Sequence, residues 1–355
     1  MILKPLKVGK KTARIPIIQG GMGVGVSLSK LSAAVANEGG IGVISAVQMG
    51  FREHDFENNN DEANVRALRK EIKEARRLSP EGIIGVNILV AVNNFKEMVK
   101  AAVEEQADLI IAGAGLPTDL PALVKGSDTK IAPIVSSGKV AALITKVWKR
   151  RYNYVPDLVI VEGPEAGGHL GFSMEQIEMG KAPELTDIVE EVIETLQSHE
   201  EIIPVIAAGG IFDGVDIVKY LKMGAAGVQI ATRFVATHEC DADIKFKEAY
   251  IDAKKEDIVL VKSPVGMPGR ALRNDFVKRL EKGSIAIKKC SNCLKPCDAS
   301  VSPYCISKAL INAVVGDIDD GLIFVGSNAY KLDKIVSVKE LMDELIRGVY
   351  NVSDI

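Results

Sequence analysis

Eight short runs of β-branched and aliphatic residues, with helix-patterned segments among them, constrain this chain more than any other feature. They are Ile15–Ile18, Gly42–Ser45, Gly85–Leu89, Asp108–Ala112, Ala132–Ser136, Asp157–Val161, Pro204–Ala208 and Gly227–Ala231. Each is apolar on both faces rather than alternating, the pattern of strands buried in a parallel sheet. Among the intervening segments, Leu28–Ala36, Phe95–Gln106, Asp187–Ser198 and Asp216–Met223 carry apolar residues at helical intervals. Gly39-Gly40 and Gly224 follow two of these as C-cap signals. Such alternation calls for parallel β/α units. Eight units in about 215 residues predict an α/β fold of the (β/α)8 TIM-barrel type, with an open doubly wound sheet as the alternative.

After the eighth run the rhythm stops. Residues 236–304 hold a charged helix (DADIKFKEAYIDAKK), a short strand over 257–262, the loop SPVGMPGRALRN and four cysteines within 16 residues. They are expected to form a small substrate or lid region inserted over the barrel mouth. Residues 1–235 and 305–355 would then make the barrel itself. The charged stretch 51–80 reads as a solvated helix between strands two and three.

Composition narrows the function. With 44 Lys+Arg against 47 Asp+Glu the net charge is −3, which gives no reason to expect nucleic acid or an anionic membrane as partner. Aromatic residues at 5% argue against a base-stacking surface. The N-terminus lacks the apolar core of a signal peptide, and no run of about 18 apolar residues suggests a membrane span. Five cysteines do not make a disulfide scaffold. The expectation is a cytoplasmic protein acting on a small molecule, with homo-oligomerisation left open.

In β/α barrels the active site lies at the C-terminal ends of the strands. There the sequence turns polar and glycine-rich: Gln19-Gly20-Gly21-Met22-Gly23 after strand one, Asn87 on strand three, Glu162 to Gly171 after strand six, Gly209-Gly210 after strand seven, and Gln229 to Thr232 around the end of strand eight. Strands seven and eight are the usual phosphate grip of such barrels. Gly209-Gly210 lets backbone approach an anion, and Thr232 offers a hydroxyl at a helix start. Gly21-x-Gly23-x-Gly25 is not a dinucleotide fingerprint, because its spacing is GxGxG and no acidic residue ends a second strand some 20 residues on. Of the four histidines, His54, His199 and His238 suit surface or structural roles. His169, in a glycine-flanked loop beyond a buried strand, suits proton transfer.

The segments IPIIQGGMG (15–23), GVN (85–87), VEGPEAGGHLG (161–171), PVIAAGGI (204–211) and GVQIATRF (227–234) occur in the order and spacing of a known family. Over roughly residues 10–240 the chain resembles the nitronate monooxygenase (2-nitropropane dioxygenase) flavoproteins and the related FMN-dependent enoyl-ACP reductases. The resemblance implies one non-covalent FMN. It implies that Gly20, Gly21, Met22 and Gly23 border the isoalloxazine, that Asn87 contacts the flavin or its ribityl chain, and that Glu162 and Gly167 fall in the strand-six contact motif. Gly209, Gly210, Gln229, Ala231 and Thr232 would hold the ribityl phosphate, and His169 matches the family's catalytic histidine. Many members carry Gln where Glu162 stands.

Two chemistries share such a site. In one, nitronate monooxygenase, His169 acts as base toward a nitroalkane or orients a nitronate, and oxygen completes the oxidation. In the other, NAD(P)H reduces the flavin, which reduces an enoyl thioester or a quinone. A catalytically silent flavin-binding protein is the non-enzymatic alternative, and the presence of His169 argues against it. Separately, Cys290-x2-Cys293-x3-Cys297-x7-Cys305 has the spacing of an iron–sulfur or zinc frame.

Overall fold

The computed structural model describes residues 3–197 and 202–353; His199 and the end of the helix predicted over 187–198 lie outside the described residues. Eight parallel strands close into a barrel: β1 (Ile17–Gln19), β2 (Ile41–Ser45), β3 (Ile83–Leu89), β4 (Leu109–Gly113), β5 (Lys130–Val135), β6 (Val159–Glu162), β7 (Val205–Ala208) and β8 (Gly227–Ile230). Strands pair in sequence order around the barrel, β6 with β7 through Ala208 opposite Glu162, and β8 returns to β1 through Gln229 opposite Ile18. All eight predicted runs are barrel strands, and the open sheet is excluded.

The two-faced apolarity of the runs has a direct cause. On β4, Leu109 and Ile111 pack into one core with Ile18, Val43, Ile160 and Ile206, inside the barrel. Ile110 and Ala112 join the other core, between strands and helices. Successive side chains point to opposite faces of a strand, and here both faces are dry. A hairpin, Leu6–Val8 with Lys11–Ala13, was not anticipated; its Leu6, Val8 and Ala13 belong to the interior core and plug one end of the barrel. Helix Gly138–Tyr152 starts where Ser137 accepts the N–H of Val140, and helix Gly214–Lys222 where Asp213 accepts those of Val215 and Asp216. Such caps contribute about 1 kcal/mol each. The charged stretch contains helix Asn60–Leu78, with Asp61 and Glu62 in its first turn and Arg76 and Arg77 in its last, each sign matched to the helix dipole.

Beyond β8 the chain forms helix Ile244–Ile251 and an antiparallel hairpin, Ile258–Lys262 with Pro268–Leu272. The second hairpin strand also pairs with the two-residue strand Gly168–His169, which extends from the loop after β6. Helices Asp275–Lys282 and Ile306–Val314 follow, and helix Val338–Ser353 packs on Gly214–Lys222. That last contact is close enough that a Cβ on Gly214 would overlap the backbone of Gly348. Phe246, Leu272, Phe276 and Tyr304 belong to the same core as the barrel helices. Among the described residues no helix is long and apolar enough to cross a membrane.

Candidate active site

The C-terminal ends of the strands surround a cavity of about 420 Å³. Every residue assigned above to flavin contact borders it, from Gly20 to Thr232, and so does His169. Five turns separated by up to about 200 residues of sequence meet here because a barrel brings all its strand ends to one rim.

The glycines are sterically required. A Cβ on Gly21 would overlap the side chain of Asn87, and one on Gly20 would lie 3.3 Å from Gln229. Gln19 ties the end of β1 to β2: its Oε1 accepts the N–H of Val43 at 2.9 Å. Gly209 and Gly210 have φ of +94° and +81°, a region that favours glycine. A Cβ on Gly210 would overlap the Glu165 carboxylate. Thr232 opens a helix of only four residues, so its hydroxyl matters there more than any helix dipole.

Residues 324–328 also line this rim, and they were missed. Asn328 donates to the carbonyl of Gly210 at 2.6 Å, and Ser327 donates its backbone N–H to Glu165 O at 3.1 Å. The available signal was IFVGSN, an apolar run ending in the same Gly-plus-polar turn as the strand ends. It went unread because it lies outside the eightfold rhythm.

Whether the residues fit FMN can be tested on polar atoms. Gln229 Oε1 and Ser327 Oγ are buried and lack a hydrogen-bond partner. Native proteins rarely leave such atoms unpaired, because each costs about 1–3 kcal/mol. Both border the cavity, where a ligand with ribityl hydroxyls and a phosphate could satisfy them. Backbone-bare walls at Gly20 and Gly21 leave room for a flat ring. The site fits the group.

His169 is held by three contacts. Its backbone pairs with Gly269 of the hairpin, its ring meets Phe324 edge-on at 5.0 Å, and its Nε2 lies 2.7 Å from Ser263 Oγ. Burial pushes the imidazole down to about 4, so it is neutral through the physiological range. Burial also raises Glu162, to about 7. Both shifts favour the uncharged form for one reason, the cost of placing charge in a poorly hydrated cavity. Arg270 anchors the intervening loop: its buried guanidinium donates to the carbonyls of Pro164 (2.7 Å) and Ala166 (2.5 Å).

Among the described residues no group of three or more His, Cys, Asp or Glu side chains is arranged to hold a metal ion. Cys290, Cys293, Cys297 and Cys305, the metal candidates, nonetheless lie within electrostatic reach of one another: Cys293 feels Cys297 and Cys305, and Cys305 feels Cys290 and Cys297. Each takes a different neighbour. Cys290 accepts the N–H of Asn292, Cys293 the hydroxyl of Ser307 at 3.0 Å, and Cys297 pairs with Ser302 at 3.2 Å. Cys305 stands at the N-cap of helix Ile306–Val314. Burial, reinforced by the neighbouring Cys305 and Cys297, pushes the Cys293 thiol up to about 11. The loop is stitched to the turn after β3, with Val92 bridged to Leu294 and Lys295 donating to Ala91 O.

Residues 4–348 match the family model described as nitronate monooxygenase. The chain is 28% identical over 266 residues to the (3aS,4S,5R,7aS)-5-hydroxy-7a-methyl-1-oxo-octahydro-1H-indene-4-carboxyl-CoA dehydrogenase of Rhodococcus jostii, covering 75% of this chain but 65% of that relative's length. A probable nitronate monooxygenase of Staphylococcus saprophyticus is 26% identical over 310 residues, covering 79% of this chain and 82% of the relative. Among solved structures, FabK from Thermotoga maritima superposes with a TM-score of 0.74 at 29% identity, over 96% of this chain and 94% of that one.

Proposed function

The chain belongs to the nitronate monooxygenase family, and from that membership we propose that it is an FMN-dependent oxidoreductase that oxidises alkyl nitronates with O2. The observation that carries this reading is the cavity itself: one glycine-walled rim with unpaired Gln229 and Ser327 oxygens and a neutral His169 beside them. Bound FMN would supply the redox chemistry, accepting electrons from substrate and passing them to oxygen.

In this reading Gly209, Gly210, Thr232 and Ser327 hold the phosphate end, and Asn87 and Gln229 meet the polar edge of the cofactor. Gly20 and Gly21 keep the wall flat. His169, kept neutral by burial, meets the substrate oxygens without repelling or trapping charge. The apolar walls, including Met22, Leu310 and Phe324, exclude water and take the alkyl chain.

The second reading is an NAD(P)H-dependent flavin reductase acting on an enoyl thioester or a quinone. The likeness to FabK over nearly the whole chain favours it, as does similarity to a relative whose name specifies a CoA thioester. Anaerobic mixing of the purified protein with NADH, NADPH and propionate 3-nitronate in turn separates the two. Rapid flavin bleaching by a pyridine nucleotide selects the reductase; a spectral change with nitronate alone selects the monooxygenase. A colourless protein that takes up no FMN ends both.

A further inference from the structure

The loop joining helices Asp275–Lys282 and Ile306–Val314 takes no part in the proposed oxidoreductase chemistry. It contains no helix or strand over residues 283–305. It still packs on the barrel: Asn93 donates its N–H to Cys293 O at 3.2 Å, and Cys293 and Cys297 pack against the main core. Structureless stretches longer than about 12–15 residues are uncommon in a compact chain, and the ordered ones generally carry a function.

The surroundings of the sulfurs suit thiolates. Asn292, at φ of +47°, curls the Cys290-x2-Cys293 turn so that its N–H donates to Cys290 Sγ at 3.3 Å. Ser307 donates its hydroxyl to Cys293 Sγ at 3.0 Å. Cys297 Sγ lies 3.2 Å from Ser302 Oγ. Cys305 begins helix Ile306–Val314, at the positive end of its dipole. Hydrogen-bond donors and helix N-termini favour ionised sulfur, the form that binds metal.

The same contacts gather the cysteines. Ser307 is in the first turn of the helix that Cys305 begins, so its bond to Cys293 sets that sulfur against this turn. A turn closed by the Cys297 N–H on Leu294 O, at 3.4 Å, folds Cys297 back toward Cys293. Each of the four is electrostatically coupled to at least one other, and none is in a disulfide. Among the described residues they stand short of a ligand shell. With no regular structure in the loop, rotation of the side chains and local loop movement suffice to close one without disturbing a barrel strand.

We propose that Cys290, Cys293, Cys297 and Cys305 form a tetrathiolate metal site, closed around zinc or an iron–sulfur cluster, that staples this loop to the barrel rim. Both centres take four thiolates, and Cys-x2-Cys followed by two further cysteines supplies them. Each thiol gives up its proton on binding. Lys288, Lys289, Lys295 and Lys308 stand beside the cysteines in sequence and offset the negative charge that results. Leu310, on the helix that Cys305 begins, and Leu89, just before the turn bridged to Leu294, both border the cavity. The metal therefore orders one wall of the cavity, whichever substrate the cavity takes.

The test is elemental analysis of the chain, purified without chelator in air and again anaerobically, and after reconstitution with Zn2+ or with ferrous iron and sulfide. About one zinc per chain, or about four irons with matching acid-labile sulfide, is expected, and the element found identifies the centre. Cys293→Ser and Cys305→Ser should lose the metal, while Cys240→Ser, outside the loop, should keep it. If the loop variants do not fold, the wild type decides: exposed Cys290 should resist alkylation, mapped by mass spectrometry, until a mercurial displaces the metal. Only trace metal in every preparation, metal retained in both loop variants, or immediate alkylation of Cys290 in the metal-treated wild type overturns the proposal.

Discussion

The turns after β7 and β8 and the segment beyond residue 236 border one cavity, yet they reach it by different physics. The turns Gly209-Gly210 and Ala231-Thr232 are placed first by the barrel: adjacent parallel strands end at one rim, and glycine at φ of +94° and +81° lets the chain turn there. Ser263, Arg270 and Phe324 are placed by tertiary contacts, across up to 155 residues from His169, through a hairpin that pairs with Gly168–His169. The barrel strand ends therefore supply most of the proposed cofactor cradle, and the later segment contacts the histidine. The difference teaches that a residue belonging to a barrel motif can owe its chemistry to an insertion.

Four substitutions or conditions would break or sharpen that contrast. The largest effect is expected at the cradle. Gly210→Glu places volume and like charge in a left-handed turn already against Glu165, and should reduce FMN from about one per chain to none, read from the absorbance of the purified protein. Full flavin occupancy would remove the phosphate grip from the account. Next, His169→Ala should keep FMN but lose roughly 10²- to 10⁴-fold in turnover of the true substrate. Steady-state rates comparable to wild type would sink its catalytic role.

Arg270→Leu tests the later segment. It leaves the carbonyls of Pro164 and Ala166 without their donor, and should cost about 2–4 kcal/mol of stability in a denaturant titration. Turnover should fall more than flavin content, because the loop it anchors carries His169. Equal losses in both would erase the distinction between cradle and orienting segment.

The smallest effect concerns pH. His169 lies low, at about 4, so nitronate turnover should be flat from pH 5 to 6 rather than rise through the ordinary histidine range. Glu162 is raised to about 7, so the folded chain holds its proton more tightly than the unfolded chain between about 4.5 and 7. Its contribution to stability is present below that window and is lost as pH rises through 7. Thermal melts of the apoprotein at pH 5 and 8 should show a larger drop for wild type than for Glu162→Gln. The same drop in both would show that Glu162 is not the titrating group.

The sequence by itself determined the barrel, because eight runs apolar on both faces can bury both faces only as parallel strands covered by helices. It also brought glycine and short polar residues to the strand ends that border the cavity, the residues from which the proposed cradle is built. The tertiary structure alone decided the rest. The plugging hairpin Leu6–Ala13 is too short to carry a periodic signal. Spacing put four cysteines close in sequence, but it carries no information about where the sulfurs point or which neighbours they meet. Ser263 and Phe324 look like ordinary loop and core residues until the hairpin, to which Phe324 is bridged at Ala271, brings them to His169. No local pattern encodes that meeting, since it depends on long-range strand pairing and on burial, which also removes the charge from His169 and Glu162.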